Sequence, residues 1–431
     1  ADGVLTHEFQ HMIHFYQDRN EQSWVNEGFS ELAAFLSGYD LGGSDYAYTL
    51  GTDITLTYWP SPPDGAHYGQ AFLFLAYVLD RFGPDATQAL VADTANGLDS
   101  IDALLHGRGE LDPDTAAPIG ADEVYRDWAV ALLLQNPEVG AGQYSLESLG
   151  YRLEVGATER IEACPASDWQ ATVSQYGVDY VAIECTGEYV LNFQGASTVE
   201  VVPTDAHSGQ FAFWSNRGDE SDMTLTRRLD LRDAAGPLSL DYWVWYDLEQ
   251  GYDYAYVEVS EDGGATWDIL RTPSGTPEDP SGNSYGWGYN GLSGGGGEAV
   301  WIEESVDLSA YAGSEILLRF EYITDAAVNG EGLLLDDVRL GAIGLDEDFE
   351  KGDGGWQAEG FVRLFNQLPQ TYRAVLVTRG DEERVEEVVL DESQAGSLPF
   401  HVGQGEEAML VVIGTARHTW TPAPYSIDLV P

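Results

Sequence analysis

The sequence predicts a multidomain protein: a mainly α-helical N-terminal region followed by all-β sandwich domains of jelly-roll type. Three observations predict it. At 431 residues the chain is too long for one ordinary hydrophobic core. Up to about residue 142 apolar residues recur with a period near 3.6. Beyond about 143 they come in short alternating or β-branched and aromatic runs, separated by clusters of Gly, Asp, Pro and Ser.

The helices follow in order. "VLTHEFQHMIHFYQD" carries Val4, Leu5, Phe9, Met12, Ile13 and Tyr16 at helical spacing, with Asp2 available as a cap. "EGFSELAAFLSGYD" predicts a second helix ending near Gly38. "HYGQAFLFLAYVLDRFG" predicts a third, stopped by Gly83 and Pro84, and "ADEVYRDWAVALLLQNP" a fourth, stopped by Pro137. Shorter helical pieces fall around "DATQALVADT" and "SIDALLHG". The strands are read in "YVAIEC", "YVLNFQ", "STVEVV", "LSLDYWVWY", "YAYVEVS", "ILLRFEY" and "GLLLDDVRL", then "YRAVLVTR", "RVEEVVL", "AMLVVIGT" and "YSIDLV". Residues 273–298 read as a long glycine-rich loop within one unit, and a boundary is expected near 344–356. The resulting division is 1–142 helical, 143–204 a small β region, 205–343 a jelly roll and 344–431 a C-terminal β domain.

Composition narrows the function. Hydrophobic residues make up 43% and aromatics 12%, so folding is expected. Acids outnumber bases 73 to 19, for a formal charge of −54, and Lys351 is the single lysine. Phosphate backbones would be repelled, which argues against nucleic acid as a partner. The acidity reads as a hydrated anionic surface, with calcium sites accounting for a handful of carboxylates. No run of about 18 apolar residues offers a membrane span. Cys164 and Cys185 bracket 20 residues that read as strand, loop, strand. In a secreted protein they would form a disulfide; the alternative is two buried thiols.

The segment "THEFQHMIHFYQDRNEQSWVNEGFSE" carries the chemistry. In a helix His7 and His11 lie one turn apart on one face, so both imidazoles can address one ion. Glu8 lies beside them, placed to take a proton from a metal-bound water. A tetrahedral catalytic zinc wants a third protein ligand and an open position. A third histidine on the same segment is not present at the required spacing, since His14 and Gln17 stand at those positions. Asn26-Glu27 follows sixteen positions after His11, and Glu31 stands one turn later. One of the two glutamates can bind the ion while the other accepts a ligand histidine's N–H. The bland alternative is a polar amphipathic helix with surface histidines.

"HEFQHMIHF…WVNEGFSE" resembles the gluzincin metallopeptidases, and in detail the hyicolysin-type peptidases. The resemblance implies zinc held by His7, His11 and Glu27, with Glu8 as general base and Glu31 as acidic partner of a ligand. His14 is expected to pack or support rather than ligate. Tyr68, at the start of the "HYGQAFLF" helix, maps by resemblance to the tyrosine that hydrogen-bonds the oxyanion; the alternative is an aromatic that only packs. Relatives of this kind place a β-sheet subdomain ahead of the HExxH helix, whose edge strand holds the peptide. Six residues precede His7, so the expectation is either a fragment or an incomplete substrate cleft.

In the β half, "SGQFAFWSNRGDESDMTLTRRLDL", "LDYWVWYDLEQGYDYAYVEVSEDGGATW" and "GLLLDDVRL" resemble the accessory region of immune inhibitor A-like peptidases and MAM-type jelly rolls. Asp219, Glu220 and Asp222 crowd one loop, and Asp336 and Asp337 lie near the last jelly-roll strand. At least one Ca2+ is expected, with Asp219 and Asp337 as ligands; the alternative is solvated loop acids. Trp243, Trp245, Tyr246, Tyr252, Tyr254 and Tyr256 offer a glycan platform or, alternatively, a half-core face. The expected function is a secreted zinc endopeptidase acting on protein or peptide substrates. The rival is a non-catalytic adhesion or glycan-binding protein with a relict metal site.

Overall fold

The computed structural model describes residues 2–60, 62–113 and 115–431. The chain divides into two compact units, Ala1–Val201 with Gln367–Pro431, and Val202–Asn366.

The first unit opens with helices α1 (Asp2–Gln17), α2 (Ser23–Leu36), α3 (Ser44–Thr49), α4 (Gly65–Phe82), α5 (Pro84–Val91), α6 (Leu98–Arg108) and α7 (Ala121–Leu134). Helix α4 is buried without interruption from Gly69 to Val78, so its apolar sequence runs all round rather than along one stripe. Two glycines set its neighbours. A Cβ on Gly69 would lie 2.0 Å from the Ser44 carbonyl oxygen, where α3 backs onto α4. A Cβ on Gly28 would lie 3.0 Å from the Ala71 carbonyl oxygen, where α2 backs onto α4. The second approach seats α2, and with it Glu27, against the central helix. Helix α1 has the expected period, yet Val4, Leu5, Phe9, Met12, Ile13 and Tyr16 are all exposed and His14 is its buried residue.

Strands β1 (Glu159–Ile161), β2 (Ala166–Val173), β3 (Asp179–Ile183), β4 (Gly187–Gly195) and β5 (Thr198–Val199) follow. The chain then builds the second unit from β6 (Phe211–Trp214), β7 (Asp222–Asp230), β8 (Ser239–Asp247), β9 (Tyr254–Ser260), β10 (Asp268–Ile269), β11 (Ile302–Asp307), β12 (Glu315–Ile323), β13 (Gly332–Leu340), β14 (Leu345–Glu347), β15 (Gln357–Glu359) and β16 (Val362–Phe365). It returns to the first unit with β17 (Leu368–Pro369), β18 (Tyr372–Arg379), β19 (Arg384–Glu387), β20 (Ala395–Val402), β21 (Glu407–Gly414) and β22 (Ala423–Val430).

In the first unit the sheets run β1-β3-β21-β18-β19 and β2-β22-β4-β20, around a core that includes Val181, Leu191, Phe193, Leu376, Leu410 and Ile427. The helices are tied to this sandwich by the Tyr180 hydroxyl donating to the Ala129 carbonyl at 2.7 Å and by Arg373 pairing with Glu123 at 2.7 Å. Cys164 and Cys185 form a disulfide beside its core. In the second unit the sheets run β10-β9-β12-β7-β15 and β11-β8-β13-β6-β16, with β14 on β13, around Leu225, Tyr242, Val257, Phe320 and Leu335.

The segment boundaries differ from the sequence division. Strands of 143–204 and of the C-terminal tail pair in the same sheets, as in Val181 with Leu410 and Phe193 with Ile427, so they make one sandwich. Residues 345–365 belong to the inserted unit, where β15 pairs with β7 and β16 with β6. The reason is long-range pairing, which no local pattern announces.

Candidate metal centre

Two neighbouring helices bring three ligand-type atoms together. His7 and His11 lie one turn apart on α1, and their Nε2 atoms are 2.9 Å apart. Glu27, on α2, sets its Oε2 at 3.1 Å from His7 Nε2 and 3.3 Å from His11 Nε2. A tetrahedral site with bonds of about 2.0–2.1 Å has ligand–ligand edges near ~3.3 Å. The observed triangle is therefore of the size such an ion spans.

The other ring nitrogens explain why these atoms fit a cation. His7 Nδ1 faces Glu31 Oε1 at 3.0 Å, and a carboxylate can only accept, so that nitrogen carries the proton. His11 Nδ1 faces Asn26 Oδ1 at 2.9 Å and Ser30 Oγ at 3.1 Å, which likewise places its proton on Nδ1. With both rings neutral, the two Nε2 lone pairs face the Glu27 carboxylate, whose buried Oε2 then has no hydrogen-bond donor. Without an ion a proton on His7 bridges this gap; a divalent metal can take its place, and nitrogen plus carboxylate donors fit zinc.

The field of the site acts in the same sense. Burial disfavours the charged ring of His7, but hydrogen bonds to Glu27 and Glu31 outweigh it and raise the pKa to about 9. Burial disfavours the Glu27 carboxylate, yet His11 and His7 hold it down at about 2. A site that holds a proton this firmly without an ion is one that welcomes positive charge.

Glu8 is exposed on α1 next to His7, outside the ligand triangle. Tyr68 stands in the first turns of α4 with its ring centroid 6.4 Å from that of His7. Its phenol is pushed up to about 12, first by burial and then by the charges of Glu27, Glu31 and Glu8. Trp59 packs edge-on against Tyr68 at 5.0 Å and braces it. His67 is engaged elsewhere, with Nδ1 at 2.8 Å from Asp64 Oδ1 at the helix start. His14 is buried against Phe29 rather than turned to the triangle. Asn26 and Ser30 are the supporting groups that pattern reading missed. Their signal was available: Ser30 lies one turn after Asn26, on the same face of α2.

The expected calcium ligands each have partners within the protein. Asp219 Oδ1 accepts from the Asn329 amide at 2.8 Å. Asp337 is served by Ser208 Oγ at 3.1 Å, Arg339 at 3.0 Å and His207 Nδ1 at 2.7 Å. Its acceptors are thus already matched by donors and positive charge. The carboxylates that do converge in this unit, among the described residues, are Glu249, Asp253 and Asp325. Asp253 is fully buried and pushed up to about 7, chiefly by burial. Of the aromatic group, Trp245, Tyr246, Tyr254 and Tyr256 are buried, and Trp243 is stacked face to face on His207 at 3.8 Å.

The β half is similar to known proteins. Residues 178–364 match the family described as immune inhibitor A-like, MAM domain. Among similar proteins, the pre-pro-metalloprotease PrtV of Vibrio cholerae serotype O1 is 32% identical over 160 residues, which is 36% of this chain and 16% of that protein. Immune inhibitor A of Bacillus thuringiensis subsp. alesti is 34% identical over 159 residues, 36% of this chain and 21% of that protein. Bacillopeptidase F of Bacillus subtilis is 29% identical over 142 residues, 32% of this chain and 8% of that protein. The matched stretch therefore spans about a fifth or less of each relative. No helix among the described residues is long and apolar enough to cross a membrane.

Proposed function

We propose that this chain carries the metal centre of an extracellular zinc peptidase of gluzincin type, with a MAM-type β domain as its accessory. The observation that carries the reading is the triangle of His7 Nε2, His11 Nε2 and Glu27 Oε2, with both Nδ1 protons turned outward to acceptors. Similarity to proteins named metalloprotease and peptidase supports the class. The Cys164–Cys185 disulfide supports an oxidising compartment.

Zinc held there supplies a Lewis acid that acidifies water and polarises a scissile carbonyl. The residues do the rest. Glu31, with Asn26 and Ser30, fixes the tautomer and direction of the two imidazoles. Glu8 accepts a proton from the attacking water and hands it to the leaving amine. The Tyr68 hydroxyl, kept protonated by its surroundings, donates to the developing oxyanion.

Metal analysis of the purified protein beside Glu27→Ala tests the reading. One zinc per chain is expected in the parent and none in the variant. Zinc retained in full by the variant, or a parent without zinc affinity, overturns it. Chelator-sensitive cleavage of casein by the full-length protein is the matching activity assay.

A further inference from the structure

The turn that joins α1 to α2 carries a second group of oxygens, which the peptidase chemistry does not use. Asp18 and Glu21 lie in it, and they are 7% and 9% exposed. Asp18 Oδ2 and Glu21 Oε2 are buried and meet no hydrogen-bond donor. Opposite them runs the turn between α5 and α6, where Asn96 Oδ1 is also buried without a donor. The two turns are locked together. Gly97 N–H donates to Glu21 Oε1 at 2.8 Å, and the Asn96 amide donates to the Asn20 carbonyl at 2.7 Å. Gly97 has φ 61°, and a Cβ there would strike the Gln22 amide, so glycine is what allows this approach.

Three unpaired oxygens from two turns are costly to bury. A buried polar atom without a partner is destabilising, the more so when it is charged. The other carboxylate oxygens accept from backbone N–H groups: Asp18 Oδ1 from Asn20 at 3.4 Å, and Glu21 Oε1 from Gln22 at 2.7 Å and Gly97 at 2.8 Å. Burial, and then the charges of Asp18 and Asp93, push the Glu21 carboxyl up to about 7. His14, also buried, has neither ring nitrogen hydrogen-bonded and faces Asp18 electrostatically. A hard cation held between the two turns would supply the positive partner that these oxygens lack. Calcium takes six to eight oxygen ligands, water among them, and accepts irregular geometry. Magnesium demands a tight octahedron and zinc prefers nitrogen or sulfur.

We propose that Asp18, Glu21 and Asn96 bind a calcium ion that pins the α1–α2 turn to the α5–α6 turn. The site is distinct from the histidine triangle, and its test does not depend on zinc or on activity.

The test is titration of the zinc-replete protein with Ca2+, followed by calorimetry and by thermal unfolding, for the parent and three variants. Asp18→Asn and Glu21→Gln are each expected to weaken one calcium-binding event at least tenfold and to shrink the calcium-induced rise in melting temperature. Asn96→Asp adds a negative oxygen and is expected to behave oppositely: less stable in chelator, with a larger rescue by Ca2+ than the parent. Tb3+ gives a direct probe, since Trp24 donates to Gln22 at 2.8 Å beside this turn and can sensitise its emission. Sensitised emission that Ca2+ displaces in the parent, and that Glu21→Gln removes, supports the site. Unchanged calcium binding in both carboxylate variants overturns the proposal. So does an Asn96→Asp variant destabilised equally with and without Ca2+. A Glu21→Gln variant stabilised at neutral pH with calcium binding intact also overturns it, because Glu21 would then be neutralised by a proton instead.

Discussion

At the scale of single residues, the two imidazoles differ from surface histidines in what their far nitrogens do. Glu31 and Asn26 claim the Nδ1 protons, which leaves Nε2 of His7 and His11 free to act as donors of electron pairs. Glu8 touches neither ring's far side, so its removal should spare the metal. Glu8→Gln is expected to keep one zinc per chain while lowering kcat/KM by about 10²–10⁴; equal loss of zinc and activity would show a structural role. A different single residue governs pH dependence in the sandwich of the same unit. Asp179 is buried, accepting from the Tyr425 hydroxyl at 2.7 Å and Thr158 Oγ1 at 3.0 Å, with Asp53 and Glu159 near it. Burial first, then Asp53, pushes its carboxyl up to about 6 from an ordinary 3.8. The folded state therefore binds the proton more tightly than the unfolded state. Stability from this group is present below pH 4, declines through the window from 4 to 6, and is gone above it. Asp179→Asn should stabilise the protein at pH 7.5 by about 2–3 kcal/mol. Urea unfolding at pH 7.5 and pH 4 checks this, with the difference between variant and parent vanishing at the lower pH.

At the scale of elements, helical period and helical burial prove to be separate properties. Both α1 and α4 carry apolar residues at helical spacing. Helix α4 buries them on all sides, whereas α1 leaves Val4, Leu5, Phe9 and Met12 at 58–70% exposure and turns its histidine face to α2. The period fixes which residues share a face and says nothing about which face is covered. The site depends on the covered one. Helix α2 reaches it because Gly28 admits the α4 backbone, and α3 is held to α4 by Gly69 in the same way. A methyl group at Gly69 has backbone, not a movable side chain, in its path. Gly69→Ala is expected to cost about 1–3 kcal/mol, read as a lowered urea midpoint with an unchanged slope.

At the scale of the whole molecule, the order of strands makes one unit an insertion in the other. Strands β5 and β17 pair, with Val199 opposite Leu368, immediately before the chain enters Val202–Asn366 and immediately after it leaves. Asn366 closes the inserted unit on itself, its amide donating to the Val202 carbonyl at 3.0 Å. The inserted unit has its own two sheets and its own core. Residues 202–366 expressed alone are therefore expected to fold, with a single cooperative urea transition and a β-type circular dichroism spectrum. A molten species that binds hydrophobic dye would refute this. The formal charge of −54 adds a solvated, self-repelling exterior and does not bear on which strands pair.

Much of this was legible in the sequence. The helical and β regions, the HEFQH spacing and the pairing of Glu27 with Glu31 on one face all follow from periods of 3.6 and 2, which are local and covalent in origin. Other features required the folded chain. The union of residues 159–199 with 368–430 in one sandwich, the exposed apolar side of α1, and the partners that Asp219 and Asp337 find depend on contacts between residues far apart in the chain. Asp18 and Asn96, and likewise Glu249 and Asp325, carry no shared pattern to mark them as neighbours. Their proximity is a product of loop closure and packing, and only the tertiary structure decides it.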